Sequence, residues 1–390
     1  MNVLYFPEKF LQIFRHGNRT AQKNELYPRD PYLNFTYYPF GNGQLTNAGK
    51  RREYNIGKEL RERYNSFLGE FYYPELVEAT STNYNRTKVS LQLMLASLFP
   101  PSGLEIWKTN FEWQPVPYNY LPSPHDKVLL GTLCPYYKIL YNQTMATPKL
   151  QEQFRQHKNT FSYISKNTGL NVTTFLDVYN LYFGLATEEE WGLTLPNWTK
   201  SVWPTRITQL AIQEYHSATA TTDLKKMASG YLLKKIIEDT KDKITKLKGV
   251  TEKRMYIYSA HENNIAELLI LLDLFKPEHV PPYGSYLIFE VHKVKNTYGF
   301  KVSVYANLVG ETCVEKSVVV LCFVENVQFF VSTPKVPVPT PGENHLIYYQ
   351  NYVSSSIQLL KSPACEEFCT MDKFISLTQE YMPTDDLCGI

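Results

Sequence analysis

Three short segments carry side chains suited to moving a phosphoryl group. Arg15-His16-Gly17-Asn18-Arg19-Thr20 sets two guanidinium groups around an imidazole, with a glycine that lets the backbone turn tightly. A planar guanidinium can donate two parallel hydrogen bonds to phosphate oxygens. A neutral imidazole nitrogen can attack phosphorus, and water can later release the adduct. Such a transfer also needs a proton for the departing alkoxide, and Tyr258-Ser-Ala-His261-Glu262-Asn263 offers a second histidine beside a carboxyl. Ala79-Thr-Ser-Thr-Asn-Tyr-Asn-Arg86-Thr87 adds a third arginine just before a helix, where backbone amides also attract anions. Each segment alone has a plainer reading: a chance RHG triplet, a surface ion-pair partner at Arg86, a satisfied core histidine at His261. His261-Glu262 does not open a zinc-protease HExxH motif, because Ile265 stands where its second histidine would be. No metal ligand set and no cofactor is expected.

These residues need elements to position them. The apolar run Phe10-Leu-Gln-Ile-Phe14 reads as a buried strand feeding directly into Arg15-His16-Gly17. A Tyr- and Pro-rich loop follows as far as Gly43, and Thr46 N-caps a helix with Ile56, Leu60 and Tyr64 at four-residue spacing. Leu76 to Thr82 reads as a second strand. Behind it comes a buried helix carrying Val89, Leu93 and Ala96, stopped by Pro100-Pro101. From about 115 to 250 Pro-rich joints alternate with helical stretches such as Tyr231 to Lys248, whose apolar face is Leu232, Leu233, Ile236 and Ile237. The strand signal returns at Met255-Tyr-Ile-Tyr258, before a helix with Ile265, Leu268, Leu269 and Leu272. Strand, tight turn and histidine therefore occur twice. In open α/β sheets ligands bind beyond the carboxyl ends of the strands, so both histidines are expected at one pocket. The expected fold is α/β: a mostly parallel central sheet flanked by helices, built from residues 1–118 and 246–390. A helical cap, 119–245, sits over the C-terminal strand edge and sets substrate access.

Composition sets the outer bounds. With 43% hydrophobic and 20% charged residues, the 390-residue chain reads as globular, with a sizeable core in one large or two joined domains. A net charge of +2 gives no reason to expect a nucleic-acid or membrane-surface partner. The longest apolar stretch, Val318 to Val331, is interrupted by Glu325, Asn326 and Gln328 and is too short and polar to span a bilayer. Six cysteines (Cys134, Cys313, Cys322, Cys365, Cys369, Cys388) without a metal ribbon favour disulfides. With the sequons at Asn34, Asn142, Asn171 and Asn197 they favour a secretory route. The start MNVLYFPEKFLQIF lacks a basic n-region, an apolar h-region and a cleavage site, so that route implies an incomplete N-terminus.

Taken together, the three segments resemble the histidine acid phosphatase family, branch 2 of the histidine phosphatases. Its marks are RHGxRxP near the N-terminus, a mid-chain STxxxRT element and a downstream HD or HE pair. The flanks agree as well: Gln44-Leu-Thr46 with Gly49, Leu60-Arg61-x-Arg63-Tyr64, and Leu98-Phe-Pro-Pro101. Insect secreted and venom members share Gly192-Leu-Thr-Leu-Pro196-x-Trp198-Thr199 and the HE form. The likeness covers roughly 10–305 and 347–388. It implies a phosphoglycerate mutase-like core and hydrolysis of small phosphomonoesters or phosphoproteins through a phosphohistidine on His16. It also implies that Arg15, Arg19 and Arg86 hold the phosphate, that His261 adds a donor, and that Glu262 protonates the leaving group. A protonated carboxyl beside an unprotonated imidazole would favour acid pH. The family pattern pairs Cys365 with Cys369 and Cys134 with Cys388, places members in secretions or lysosomes, and includes many homodimers.

The sequence departs from the family at three places. Asn18 replaces a common acid, and Ala21 stands where proline is usual. Between Tyr305 and Tyr348 roughly forty extra residues, 306–346, intervene with Cys313 and Cys322; they read as a surface insertion or a retained intron. Asn18-Arg-Thr20 and Asn85-Arg-Thr87 are formal sequons expected to stay unmodified, because glycans there would obstruct the site. Two other classes of function compete: a secreted binding or allergen-like module with weakened catalysis, and a phosphomutase whose phosphohistidine outlives water attack.

Overall fold

The computed structural model describes residues 9–245, 253–294, 297–305 and 371–389, with side chains for nearly all of these. Its frame is a six-stranded sheet, taken in chain order as β1 (Lys9–Arg15), β2 (Val77–Ser81), β3 (Asn119–Tyr120), β4 (Met255–Ala260), β5 (Tyr286–Val294) and β6 (Thr297–Tyr305). The strand order is β3-β2-β4-β1-β5-β6. β3, β2, β4 and β1 run parallel, and β5 and β6 close one edge antiparallel. This is the α/β sheet expected from the sequence.

Both faces of the sheet are covered, which is why its strands read as nearly continuous apolar runs. Phe10, Phe14, Met255, Ile257 and Ile288 point to one side. There they pack on α1 (Asn47–Leu68) and α2 (Asn85–Leu98) through Ile56, Leu60, Leu91 and Met94. Leu11, Ile13, Tyr256, Tyr258 and Leu287 point to the other side. They meet Leu232, Leu233 and Ile236 of α9 (Tyr231–Thr245) and Ile265, Leu268 and Leu269 of α10 (Glu262–Leu271).

The expected buried face of α2 is out by one position. Val89, Leu93 and Ala96 are half-buried, and Ser90, Leu91, Met94 and Leu95 form the inner face. Ser90 is the telling member: the loop packed there offers a backbone donor, as described below, so a polar residue belongs at an inner position.

Between β3 and β4 lie α3 (Pro135–Met145), α4 (Pro148–Gln156), α5 (Lys158–Thr168), α6 (Phe175–Trp191), α7 (Thr205–Ala218) and the short α8 (Thr222–Lys225). Leu150, Phe154, Phe161, Ile164, Val178, Leu181, Ile207 and Leu210 give these helices an apolar core of their own. α6 begins with a capping box in which Thr174 and Asp177 satisfy each other's backbone N–H, and it ends on Gly192 in the left-handed region. Among the described residues no helix is long and apolar enough to cross a membrane. Cys134 and Cys388 form a disulfide, as the family pattern implied. The suggested Cys365–Cys369 bridge, Cys313, Cys322 and the segment 306–346 lie outside the described residues.

Candidate active site

Strand register brings the distant motifs together. β1 and β4 are adjacent and parallel, with Arg15 opposite Ala260. The residues that follow, His16 and His261, therefore leave the sheet side by side, with ring centroids 5.5 Å apart. β2 lies on the far side of β4 with Ser81 opposite Ser259, which delivers Thr82 to the same edge. The turn after β1 is held by close backbone contact. A Cβ on Gly17 would sit 2.6 Å from the Gly49 carbonyl oxygen, and one on Gly49 would sit 2.2 Å from that of Asn18. Only glycine at both positions lets the loop lie against the start of α1. Thr46 caps α1 by accepting from the Gly49 N–H at 3.1 Å, and its own N–H donates to the Asn18 carbonyl at 2.9 Å. The Gly17 N–H donates to the Ser90 hydroxyl at 3.1 Å.

His16 is almost wholly buried, and its partners decide its tautomer. Nδ1 lies 2.9 Å from the Gly17 carbonyl, which can only accept, so Nδ1 carries the proton. Nε2 is left with its lone pair, and Arg86 Nε donates to it at 3.0 Å. Burial first, then the charges of Arg86, His261, Arg15 and Arg19, hold the imidazole well below its usual value. The shift favours the neutral, nucleophilic form of the ring.

Arg86 joins the two histidines. From the first turn of α2 its other amines reach Gln22 Oε1 at 3.3 Å and His261 Nδ1 at 3.5 Å, and it lies over the Tyr84 ring. Burial and the charge of Arg19 bring its guanidinium down to about 10, so it stays cationic in neutral and acid solution. His261 sits 3.0 Å from the Thr82 hydroxyl through Nε2, and that hydroxyl donates onward to Thr87. This places the His261 proton on Nε2 and leaves Nδ1 an acceptor until something protonates it. Burial and Arg86 hold this ring well down also.

The remaining two arginines are engaged with carboxyls. Arg19 donates through both terminal amines to Glu25, at 2.7 and 2.5 Å, so its fork is taken and its buried Nε has no partner. Arg15 Nε stands 3.4 Å from Glu262, its Nη1 donates to the Pro281 carbonyl at 2.5 Å, and its guanidinium lies 3.8 Å over the Tyr283 ring. Glu262 opens α10 and accepts from the Tyr179 hydroxyl at 2.5 Å. Burial alone would raise its carboxyl, but Arg15, then His261 and the Tyr179 hydrogen bond, outweigh that and hold it at about 2. This runs against the expectation of a protonated carboxyl: Arg15 favours the ionised form of Glu262.

His16, Arg19, Arg86, His261 and Glu262 line one cavity of about 350 Å³; Arg15 is not among its lining residues and meets the site through Glu262. Asn18 and Ala21 do not line it. Asn18 instead accepts from Arg52 at 2.8 Å and donates to Glu190, whose carboxyl burial pushes up to about 7. An acid at position 18 would face that carboxyl, whereas the amide supplies the donor it needs. Asn18 is 6% exposed and doubly hydrogen-bonded, so a glycan cannot be accommodated there. Asn34, Asn142, Asn171 and Asn197 are all exposed.

Glu25, Gln22, Thr82, Tyr179 and Tyr283 complete the site without having been singled out in the sequence. Thr82 lies within the quoted mid-chain motif, and Gln22 and Glu25 follow the first motif at capping-box spacing; Tyr179 and Tyr283, from a helix and a loop more than 150 residues along the chain from His16, carry no local signal.

A paired-histidine, arginine-rich pocket at the carboxyl edge of this sheet defines a phosphoryl-handling α/β enzyme. The profile of the histidine phosphatase superfamily (branch 2) matches residues 8–307, and the chain belongs to that family. It is 39% identical over 303 residues to the venom acid phosphatase Acph-1 of Apis mellifera, covering 77% of each chain. It is 28% identical to the human lysosomal acid phosphatase, over 96% of this chain and 77% of that one. Among solved structures the Hafnia alvei phytase in complex with tartrate shares the fold. It has a TM-score of 0.64 at 14% identity, covering 100% of this chain and 99% of the phytase.

Proposed function

We propose that the protein is an acid phosphatase that hydrolyses phosphate monoesters through a phosphohistidine on His16, with Glu262 as proton donor. The observation that carries the reading is the state of His16: neutral, with its Nε2 lone pair turned toward Arg86 inside the cavity.

In this mechanism Arg86 leaves the imidazole to bind the incoming phosphate, together with Arg15, Arg19 and a His261 that takes a proton from the acid solution. The anion's charge favours that protonation, opposing the burial and the Arg86 charge that hold the ring down. Nε2 attacks phosphorus as the ester P–O bond breaks, and the bonding pair leaves on the alkoxide. That oxygen needs a proton, and a carboxyl held as low as Glu262 brings none of its own. At acid pH the ester itself brings one, since the second ionisation of a phosphate monoester lies near ~6. This proton passes to Glu262 once the phosphate draws Arg15 away from the carboxylate, and Glu262 delivers it to the leaving oxygen. Glu262, again a carboxylate, then takes a proton from the water that attacks phosphorus; the P–N bond breaks with its electron pair returning to Nε2, and Glu262 hands that proton to the phosphate as it leaves. Phosphate departs and His16 is restored. The preference for acid arises here from the substrate's proton rather than from a carboxyl already protonated.

The segment 119–245 acts in this reading as the cap over the sheet edge, because α6 and α7 supply Tyr179, Phe183, Glu214 and Tyr215 to the cavity wall. A secreted or lysosomal setting fits the venom and lysosomal relatives. Of the departures behind the binding-module alternative, Asn18 and Ala21 fall outside the cavity lining and the insertion 306–346 lies outside the described residues; no observation favours that alternative.

The test is phosphate release from p-nitrophenyl phosphate between about pH 4 and 8 without added metal, for wild type and His16→Ala. An alkaline quench with a phosphorus-labelled ester accompanies it. Acid-side activity and an alkali-stable, acid-labile label, both lost in His16→Ala, are expected; an active His16→Ala protein refutes the reading.

A further inference from the structure

A carboxylate that phosphoryl transfer does not call for lines the cavity assigned above to a phosphate. Glu25, 4% exposed, ends the short turn Lys23–Glu25 that follows the first motif. Four donors converge on its two oxygens. Arg19 Nη1 and the Gln22 backbone N–H donate to Oε2 at 2.7 and 2.8 Å. Arg19 Nη2 and Gln22 Nε2 donate to Oε1 at 2.5 and 2.8 Å. This uses the full acceptor capacity of a carboxylate, and the two-pronged contact makes Glu25 and Arg19 a buried ion pair.

The carboxylate is fixed in place. Gln22 grips it through both its backbone and its side chain, and α6 closes over the turn. A Cβ on Gly184 would sit 2.4 Å from the Glu25 carbonyl oxygen. An anion arriving beside His16 therefore meets Arg19 with Glu25 still attached, since Glu25 cannot leave without breaking the Gln22 bonds. The link to the nucleophile is short. The Gln22 amide that donates to Glu25 also accepts from Arg86 Nη1 at 3.3 Å, and Arg86 Nε donates to His16 at 3.0 Å. The charged and titratable groups that face Glu25 are Arg19, Arg86, Tyr37 and Tyr283.

A fixed negative charge beside a phosphate site acts on whatever enters. By Coulomb's law it costs a doubly charged anion twice the energy that it costs a singly charged one. It therefore discriminates between two protonation states of the same phosphate, in a direction that does not depend on the state of His261. That discrimination has a use in the mechanism above, where the singly charged ester is the form that carries the proton Glu262 needs.

We propose that Glu25, through its ion pair with Arg19, is a charge-selecting residue that biases the phosphate site toward the singly charged ester and against the dianion. The inference rests on the phosphatase reading above and adds to it which protonation state of the substrate the site prefers. Glu25 takes no part in bond making or breaking; it sets the charge that the phosphate meets at Arg19.

The experiment measures competitive inhibition of p-nitrophenyl phosphate hydrolysis by inorganic phosphate and by sulfate at roughly pH 5. There the two tetrahedral anions are singly and doubly charged. The ratio of the sulfate to the phosphate inhibition constant, taken on one sample, is insensitive to the fraction of protein correctly folded. Glu25→Gln keeps the shape and removes the charge, and should lower the ratio at least about fivefold. That is the effect of one unit charge acting over roughly 8 Å at an effective dielectric of about 40. Glu25→Ala should lower it likewise, and Glu25→Asp, which keeps the charge, should hold it within about twofold. A merely structural role predicts the opposite sign, because a displaced Arg19 withdraws positive charge and costs the dianion more. Should neither uncharged variant fold, wild type still tests the inference. Its inhibition by phosphate must weaken from about pH 5 to 8 as the anion gains its second charge, and inhibition that strengthens overturns the proposal. If wild type is active but the ratio is unchanged or raised in Glu25→Gln and Glu25→Ala, or falls as far in Glu25→Asp, this inference is overturned and the phosphatase reading stands. If wild type releases no phosphate from p-nitrophenyl phosphate, the phosphatase reading itself fails and this inference with it.

Discussion

Raising the pH from 5 to 8 should loosen this protein, and a single substitution isolates a large share of that loss. Glu188 on α6 is fully buried and faces Asp30 with no cation between them. Burial, then the hydrogen bond and charge of Asp30, push its carboxyl from the ordinary 4.5 up to about 9. Between those two values the folded state holds a proton that the unfolded chain has released. Stability therefore falls as pH rises, by about 1.4 kcal/mol for each pH unit over which one proton separates the states. Over the three units from pH 5 to 8 that amounts to about 4 kcal/mol, and the loss continues until pH passes the folded value of about 9. Glu188→Gln keeps the shape and offers its amide N–H to Asp30 in place of the shared proton, so it does not titrate. Urea unfolding of wild type and Glu188→Gln at pH 5, 6, 7 and 8 measures the effect. Other raised acids, Glu53 and Glu267 among them, persist in both proteins and cancel in the difference. The variant should gain on wild type by about 4 kcal/mol across the range. Stability curves that run parallel from pH 5 to 8 would refute the reasoning.

Glu262→Gln should lower kcat about 10²–10⁴-fold on alkyl phosphates. It should cost much less on p-nitrophenyl phosphate, whose leaving group needs little protonation; steady-state kinetics on both esters checks this, and equal losses would speak against a proton-donor role. Asn18→Asp should destabilise the fold by about 1–3 kcal/mol by setting a carboxylate against Glu190. The loss should be larger at pH 8 than at pH 5, because Glu190, raised to about 7, is then ionised, and thermal unfolding at the two pH values reads it. Cys134→Ser should cost about 2–5 kcal/mol, since the bridge to Cys388 closes a loop of 254 residues, and denaturant unfolding compares it with wild type.

The chemistry was legible in the sequence because it sits on local signals. Phe10–Phe14 and Met255–Tyr258 announce themselves as buried strands by apolar runs. The residues that leave them, Arg15-His16 and His261-Glu262, follow without an intervening loop, so naming the strands nearly names the site. Gly17 and Thr46 fit for the same reason: a tight turn and a helix cap are decided by neighbours within a few residues. The inner face of α2 was misread because it is polar where the loop after β1 packs on Ser90, and periodicity counts apolar residues only.

What tertiary structure alone decided is the set of electrostatic partners. Arg19 spends its fork on Glu25, Arg15 ionises Glu262, and Asn18 answers Glu190. Residue types fix how each side chain can titrate and bond. Whether it does so depends on charges within a few ångströms and on the exclusion of water, and those distances are set by the packing of elements remote in the chain.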